Sequence, residues 1–291
     1  MIWEKYIKAE IMVSIICNTY NHQNNIRDAL EGFINQKTNF EYEVLIHDDA
    51  STDGTQKIIK EYKEKYPEMI KPIYQTDNQY SKLVPITYKY QFPRIKGKYF
   101  AFCEGDDYWT DPYKLQRQVE LLEKHSDIDI VAHDSISVDA RTGRVISRNQ
   151  VINKLSIIPV QKVIIGGGNF VATASLLQRT QAIKNMKRFM RQLSLDYSWQ
   201  INGSLHGGMI YIPKVMSAYR ENVVGSWTHN SKNDIKANIV HRNKVISMLE
   251  QLDDDTNNQY HKVIKRVIYK VQIKKTIKQI ELILKKLGGD L

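Results

Sequence analysis

The sequence predicts an α/β fold: a mostly parallel sheet flanked by helices, followed by a C-terminal helical extension. Three observations carry this expectation. Short apolar, β-rich runs alternate with segments of helical periodicity through the first half of the chain. Several of those runs are apolar throughout, as strands buried on both faces are. Three of them end in polar clusters, where ligands bind in open parallel sheets.

The first run, Val13-Ser14-Ile15-Ile16-Cys17-Asn18, is broken by Thr19-Tyr20-Asn21-His22. Across residues 24–36, Ile26, Leu30, Phe33 and Ile34 recur at helical spacing. A second strand over 42–47 leads into Asp48-Asp49-Ala50-Ser51-Thr52-Asp53-Gly54-Thr55. A helix follows over 58–66 and closes before Pro67. Strands are expected at 70–74 and 98–103, the latter ending in Glu104-Gly105-Asp106-Asp107. Residues 112–125 form a helix with Leu115, Val119 and Leu122 on one face, and 128–132 a fifth strand. After Ala140 the rhythm changes. Gly166-Gly167-Gly168-Asn169 reads as a loop, 195–206 as a helix starting at Asp196, and 209–219 as a strand. This divides the chain into an α/β domain at 1–225 and a basic helical segment at 226–291.

Composition narrows the class. The 291 residues are 42% hydrophobic and 25% charged, which excludes disordered and fibrous proteins. Two cysteines cannot staple a disulfide scaffold, so a reducing compartment is expected and Cys17 and Cys103 read as small buried groups. No run reaches about 18 apolar residues, and residues 1–10 lack the apolar core of a signal peptide. A cytoplasmic protein, peripheral on the inner face of the plasma membrane, is the expectation. The net charge of +10 points to a polyanion, an anionic membrane or a phosphorylated substrate.

The carboxylate clusters carry the chemistry. Hard divalent cations bind carboxylate oxygens and bridge them to substrate phosphates. Each cluster alone also has a plain structural reading: Gly-Asp-Asp suits a turn, and Asp53 and Asp111 suit helix caps. Together they are more specific. Residues 13–21 (VSIICNTYN), 47–55 (HDDASTDGT) and 104–115 (EGDDYWTDPYKL) resemble, in order and spacing, the family 2 glycosyltransferases of the GT-A fold. The resemblance covers residues 11–220 and points to the non-processive, capsule or exopolysaccharide type, since the Gln-x-x-Arg-Trp motif of processive synthases is missing.

The resemblance implies inverting transfer from a nucleotide diphosphate sugar, a UDP-sugar being favoured, to a saccharide or lipid-linked saccharide. Thr19, Tyr20, Asn21 and Ser51 would lie along the nucleotide, and Asp49 would accept from the base NH. Asp106 would sit near the ribose and sugar, and Asp107 would bind Mn²⁺ or Mg²⁺. Glu104 stands where many relatives have Asp, and would reach the metal or the ribose. Asp196 matches the place of the general base, though an acid at a helix start also has a dipole role. Arg220 would contact the diphosphate or remain a surface cation. His229 would complete the metal shell or remain unliganded.

The tail holds most of the charge. Residues 256–291 carry nine Lys or Arg and two acids, a balance of +7, which leaves +3 for the rest. Two apolar sets, from Val263 to Val271 and from Ile273 to Leu287, fall on nearly opposite faces at about 100° per residue. The tail is therefore two helices, or one that changes partners midway. An outward apolar face flanked by Lys fits an anionic membrane; a hairpin or homodimer would also cover it. Nucleic-acid binding is not expected, because no recognition motif accompanies the charge.

Overall fold

In the computed structural model, residues 10–191, 196–223 and 234–287 are described. The first part alternates as the apolar periodicity requires: β1 (Ile11–Thr19), α1 (Ile26–Ile34), β2 (Glu41–Asp48), α2 (Thr55–Lys65), β3 (Ile70–Tyr74), β4 (Tyr99–Phe102), β5 (Tyr108–Trp109) and α3 (Lys114–Lys124). Then come β6 (Ile130–Asp139), β7 (Val145–Asn149), β8 (Ser156–Ile158), α4 (Val160–Gly166), β9 (Leu177–Arg179), α5 (Gln181–Lys184), α6 (Arg188–Arg191), α7 (Asp196–Ser204) and β10 (Met209–Glu221). Two long helices follow, α8 (Ile235–Asp255) and α9 (His261–Leu287).

Among the described residues the strands form one sheet in the order β3-β2-β1-β4-β9-β6-β10-β5, with β7 on β6 and β8 on β10. The expected parallel ladder is realised in β3-β2-β1-β4 and in the β6–β10 pair. Short antiparallel strands join these halves, so the sheet is mixed. The fifth strand runs beyond the apolar stretch 128–132 to Asp139, because pairing with β10 continues there.

Alternation along β1 builds a core on each face. Val13, Ile15 and Cys17 join Phe33, Ile59 and Leu122 beneath α1, α2 and α3. Ile16 turns the other way and joins Phe100, Trp199, Leu249 and Ile264 beneath α4, α7, α8 and α9. The C-terminal helices thus share a core with the sheet. Cys17 and Cys103 are buried and free, as expected of small apolar groups.

A buried lysine lies inside this frame. Lys114 is fully buried, its Nζ donating to Gln118 Oε1 at 2.7 Å and standing 4.0 Å from the Trp109 ring centroid. Burial pulls its pKa down from 10.5 to about 7. Between those values the unfolded chain holds a proton that the folded chain has released, so this group makes stability rise with pH. Lys114→Met should flatten the rise between pH 7 and 10 in urea unfolding followed by Trp fluorescence. An unchanged slope would show that Lys114 is not the titrating group.

Candidate active site

The parallel register brings the three polar clusters side by side. Thr19 pairs with Asp48 at the ends of β1 and β2. The ladder runs on past the strands: the Asp49 amide donates to Thr19 O and the Gly105 amide to Asn18 O, both at 2.9 Å. Gly105 lies so close to β1 that a Cβ there would stand 2.6 Å from Thr19 Oγ1 and 2.8 Å from its Cβ. Only glycine permits this approach.

The residues expected to line the nucleotide interlock. Asn21 adopts φ 55°, a left-handed conformation that Asn tolerates. Its amide donates to Ser51 Oγ at 2.9 Å, and its Oδ1 accepts from the Thr52 amide at 2.8 Å. The Ser51 amide donates to Asp48 Oδ1 at 3.0 Å. Tyr20 is exposed beside them. Buried Thr19 places Oγ1 3.2 Å from His22 Nδ1, and His22 Nε2 lies 3.8 Å from Asp106 Oδ2. Asp53 accepts from the Thr55 amide at 2.9 Å beside the start of α2, whose N-cap position belongs to Gly54 rather than to Asp53 as expected.

Asp49 is also engaged. Its two carboxylate oxygens accept from the amides of Gln79 and Tyr80, at 2.7 and 3.0 Å. It fastens the 76–81 loop over the crevice, and each oxygen keeps a second lone pair.

The third cluster gathers negative charge. Burial, then Asp106, push the Asp107 carboxyl well above its usual range, while the Arg220 amide, donating to Asp107 Oδ1 at 2.9 Å, pulls it back. Glu104 opens onto the crevice, yet the surrounding walls raise its pKa, and Asp106 and Asp196 raise it further. Asp196, in the first turn of α7, also faces the crevice. Its pKa is raised by the enclosing protein and restrained by a hydrogen bond to Thr173. Asp196 is thus near enough to Glu104 to act on it across the crevice.

Arg220, near the end of β10, closes this cluster. Its Nη1 donates to Asp106 O at 2.9 Å, its Nη2 pairs with Asp28, and its guanidinium lies 4.4 Å from the Tyr108 ring centroid. The guanidinium expected to meet the diphosphate is committed to the turn that carries Asp106 and Asp107. His229 lies outside the described residues.

Among the described residues, no three His, Cys, Asp or Glu side chains converge as a preformed metal cage. The donor set nevertheless suits a hard cation. Glu104, Asp106 and Asp107 supply carboxylate oxygens whose mutual repulsion a cation would relieve, and Mg²⁺ or Mn²⁺ needs only one or two of them beside substrate phosphates.

Sequence reading missed His22, Asp28 and Thr173. His22 was within reach, since it directly follows Thr19-Tyr20-Asn21. Asp28 lies 192 residues from its partner Arg220, and Thr173 meets Asp196 only through the tertiary fold.

A helix-covered mixed sheet with carboxylates at its parallel strand ends is the architecture of nucleotide-sugar transferases of the GT-A type. The family model "Glycosyl transferase family 2" matches residues 14–186, and the chain belongs to that family. It is 33% identical over 222 residues to the uncharacterized protein Rv1520 of Mycobacterium tuberculosis, covering 76% of this chain and 62% of that protein. It therefore spans less than two thirds of that relative's length. Staphylococcus aureus TarS 1–349, solved in complex with UDP-GlcNAc, is similar in structure with a TM-score of 0.58 at 16% identity, covering 86% of this chain and 73% of that one. The mannosyltransferase PcManGT from Pyrobaculum calidifontis, solved with GDP-Man and Mn²⁺, gives 0.57 at 16% identity, covering 85% and 66%. At such identities the two structures speak for the fold, which is the GT-A fold expected from the sequence.

The Asp49 clasp is open to test. Asp49→Ala should raise amide exchange at Gln79 and Tyr80 by about tenfold or more, read by hydrogen–deuterium exchange. Unchanged protection would show that other contacts hold the loop.

Proposed function

We propose that the chain is a metal-dependent, inverting glycosyltransferase that moves a hexosyl or hexosaminyl unit from a nucleotide diphosphate sugar to a hydroxyl of a saccharide or lipid-linked saccharide. The supporting observation is the set of acids at the ends of the parallel strands, Glu104, Asp106 and Asp107, with Asp196 near enough to act on Glu104. A UDP-sugar is the favoured donor, with polysaccharide or glycoconjugate synthesis as the setting.

In this reading the Asn21–Ser51 lock and exposed Tyr20 form the nucleotide wall, with Thr19 beneath it. Asp49, held by the 79–80 amides, turns a free lone pair toward the uracil NH. Asp106 addresses the ribose and sugar. Asp107, with Asp106 and Glu104 beside it, holds Mn²⁺ or Mg²⁺. The cation, when bound, neutralises charge that develops on the departing diphosphate.

Asp196 acts as the general base. It takes the proton from the acceptor hydroxyl as that oxygen bonds to the anomeric carbon. The bond from that carbon to the diphosphate oxygen breaks, and the electron pair leaves with the nucleoside diphosphate. The Thr173 hydrogen bond favours the ionised form that the base requires, against the effect of burial. Arg220 holds the Asp106–Asp107 turn in place through Asp106 O and the Asp107 carboxylate. An acidic residue beside the acceptor site, free of the phosphates, is what an inverting step requires.

Two measurements test this. Nucleoside diphosphate release from UDP-sugars, with Mn²⁺ and a saccharide acceptor, should fall about 10²–10⁴-fold in Asp196→Asn while donor binding, read by thermal shift, persists. Full turnover by Asp107→Ala, or by wild type in EDTA, would sink the metal assignment. Because the Asp196 pKa is raised and its ionised form is the active one, kcat/KM should rise with pH above the ordinary carboxylate range of about 4. A profile flat from pH 4 upward would remove Asp196 from the role of base.

A further inference from the structure

We propose that the outward face of the C-terminal half of α9 is a docking surface for an anionic lipid bilayer. The inference is independent of the transfer reaction.

The helix is continuous from His261 to Leu287, yet its apolar face changes sides. In the first half, Ile264, Val267 and Ile268 are buried in the core shared with α4 and α8. In the second half, Ile273, Ile277, Ile280, Ile283 and Leu284 are 44–61% exposed. With Tyr269, 65% exposed, they occupy an arc of about 120° on the side away from the protein. A folded domain does not ordinarily leave six large apolar side chains together in water.

Charge selects the occupant. The helix carries nine Lys or Arg and one acid, Glu281, which Lys278 engages at 2.7 Å. Lys262 and Arg266 extend the outward face toward the N-terminus of the helix, and Lys270 and Lys274 border it. Apolar residues on the outward arc with cations along and beside them form the pattern of a helix lying in a lipid interface, with Tyr at headgroup depth. Anionic headgroups meet the cations while the apolar arc enters the acyl boundary. Among the described residues no helix is long and apolar enough to cross a membrane, so the geometry is one of lying on the surface.

A second copy of the chain fits less well. It would bring the same nine cations against these nine. The stripe from Ile273 to Leu287 spans only two heptads, short of the three or four that sustain a coiled coil. An arc of about 120° is also wider than a coiled-coil seam.

The test is flotation of the full chain with vesicles of 30% phosphatidylglycerol in phosphatidylcholine, or of phosphatidylcholine alone. Wild type should float with the anionic vesicles at least about tenfold better than with the neutral ones, and lose this in 0.5 M salt. Ile277→Glu/Ile280→Glu should abolish flotation, and Lys270→Glu/Lys274→Glu should weaken it. All four positions are at the surface, so unchanged circular dichroism and Tm should accompany the loss. Absence of wild-type binding to the anionic vesicles, or equal binding by the Ile277→Glu/Ile280→Glu variant, would overturn the proposal. So would a wild-type dimer by light scattering that the same variant dissolves.

Discussion

Glu104 feels the charge of Asp106 and Asp196, Asp107 that of Asp106 and Glu104, and the fold is arranged to hold these acids together nonetheless. Left to themselves, like charges in a partly desolvated crevice would separate or take up protons. Backbone hydrogen bonds prevent the first: the β1 ladder extends past its strands to Asp49 and Gly105, so the acid-bearing turns cannot drift from the sheet. Desolvation first, and then neighbouring acids for Glu104 and Asp107, raises the pKa values of Glu104, Asp107 and Asp196 and so favours the second. Such a cluster favours positive charge beside it, which the proposed diphosphate-releasing reaction would use.

The two faces of the sheet divide the work. Under α1, α2 and α3 a largely apolar layer, with Lys114 and Gln118 buried in it, holds the strands in register. Under α4, α7, α8 and α9 the layer also anchors the 167–171 loop, because Gln200 of α7 donates to Gly168 O at 3.0 Å and to Val171 O at 3.2 Å. The C-terminal helices are thus continuous, through α4 and α7, with that loop. The net charge that dominates the composition belongs chiefly to this end of the molecule.

Much of the fold was legible in the sequence, and for a physical reason. Parallel strands announce themselves as local apolar runs, and their ends carried the Asp48–Asp53 and Glu104–Asp107 clusters in plain view. The tail's change of face was equally readable, although only the structure shows one unbroken helix. What escaped was long-range. Trp109 pairs with Ser217 across more than a hundred residues, and β9 fits between β4 and β6 against the direction of both. Arg220 was read as a phosphate contact or a surface cation, and the sequence held no sign that its side chain also binds Asp28 and the Asp106 carbonyl. Asp49 was read as a base contact, and the sequence held no sign that the Gln79 and Tyr80 amides occupy its oxygens.

The Arg220 clasp has a consequence for the order in which the molecule matures. Its partners lie at 28 and 106–107, so during synthesis the acidic turn emerges more than a hundred residues before the strand that secures it. The parallel ladder β3-β2-β1-β4 has all its residues by position 102, and can assemble while the carboxylates still lack their guanidinium. Completion of the crevice therefore waits on β10. A nascent chain halted before that strand would carry the Asp106–Asp107 turn without the Arg220 contacts that secure it.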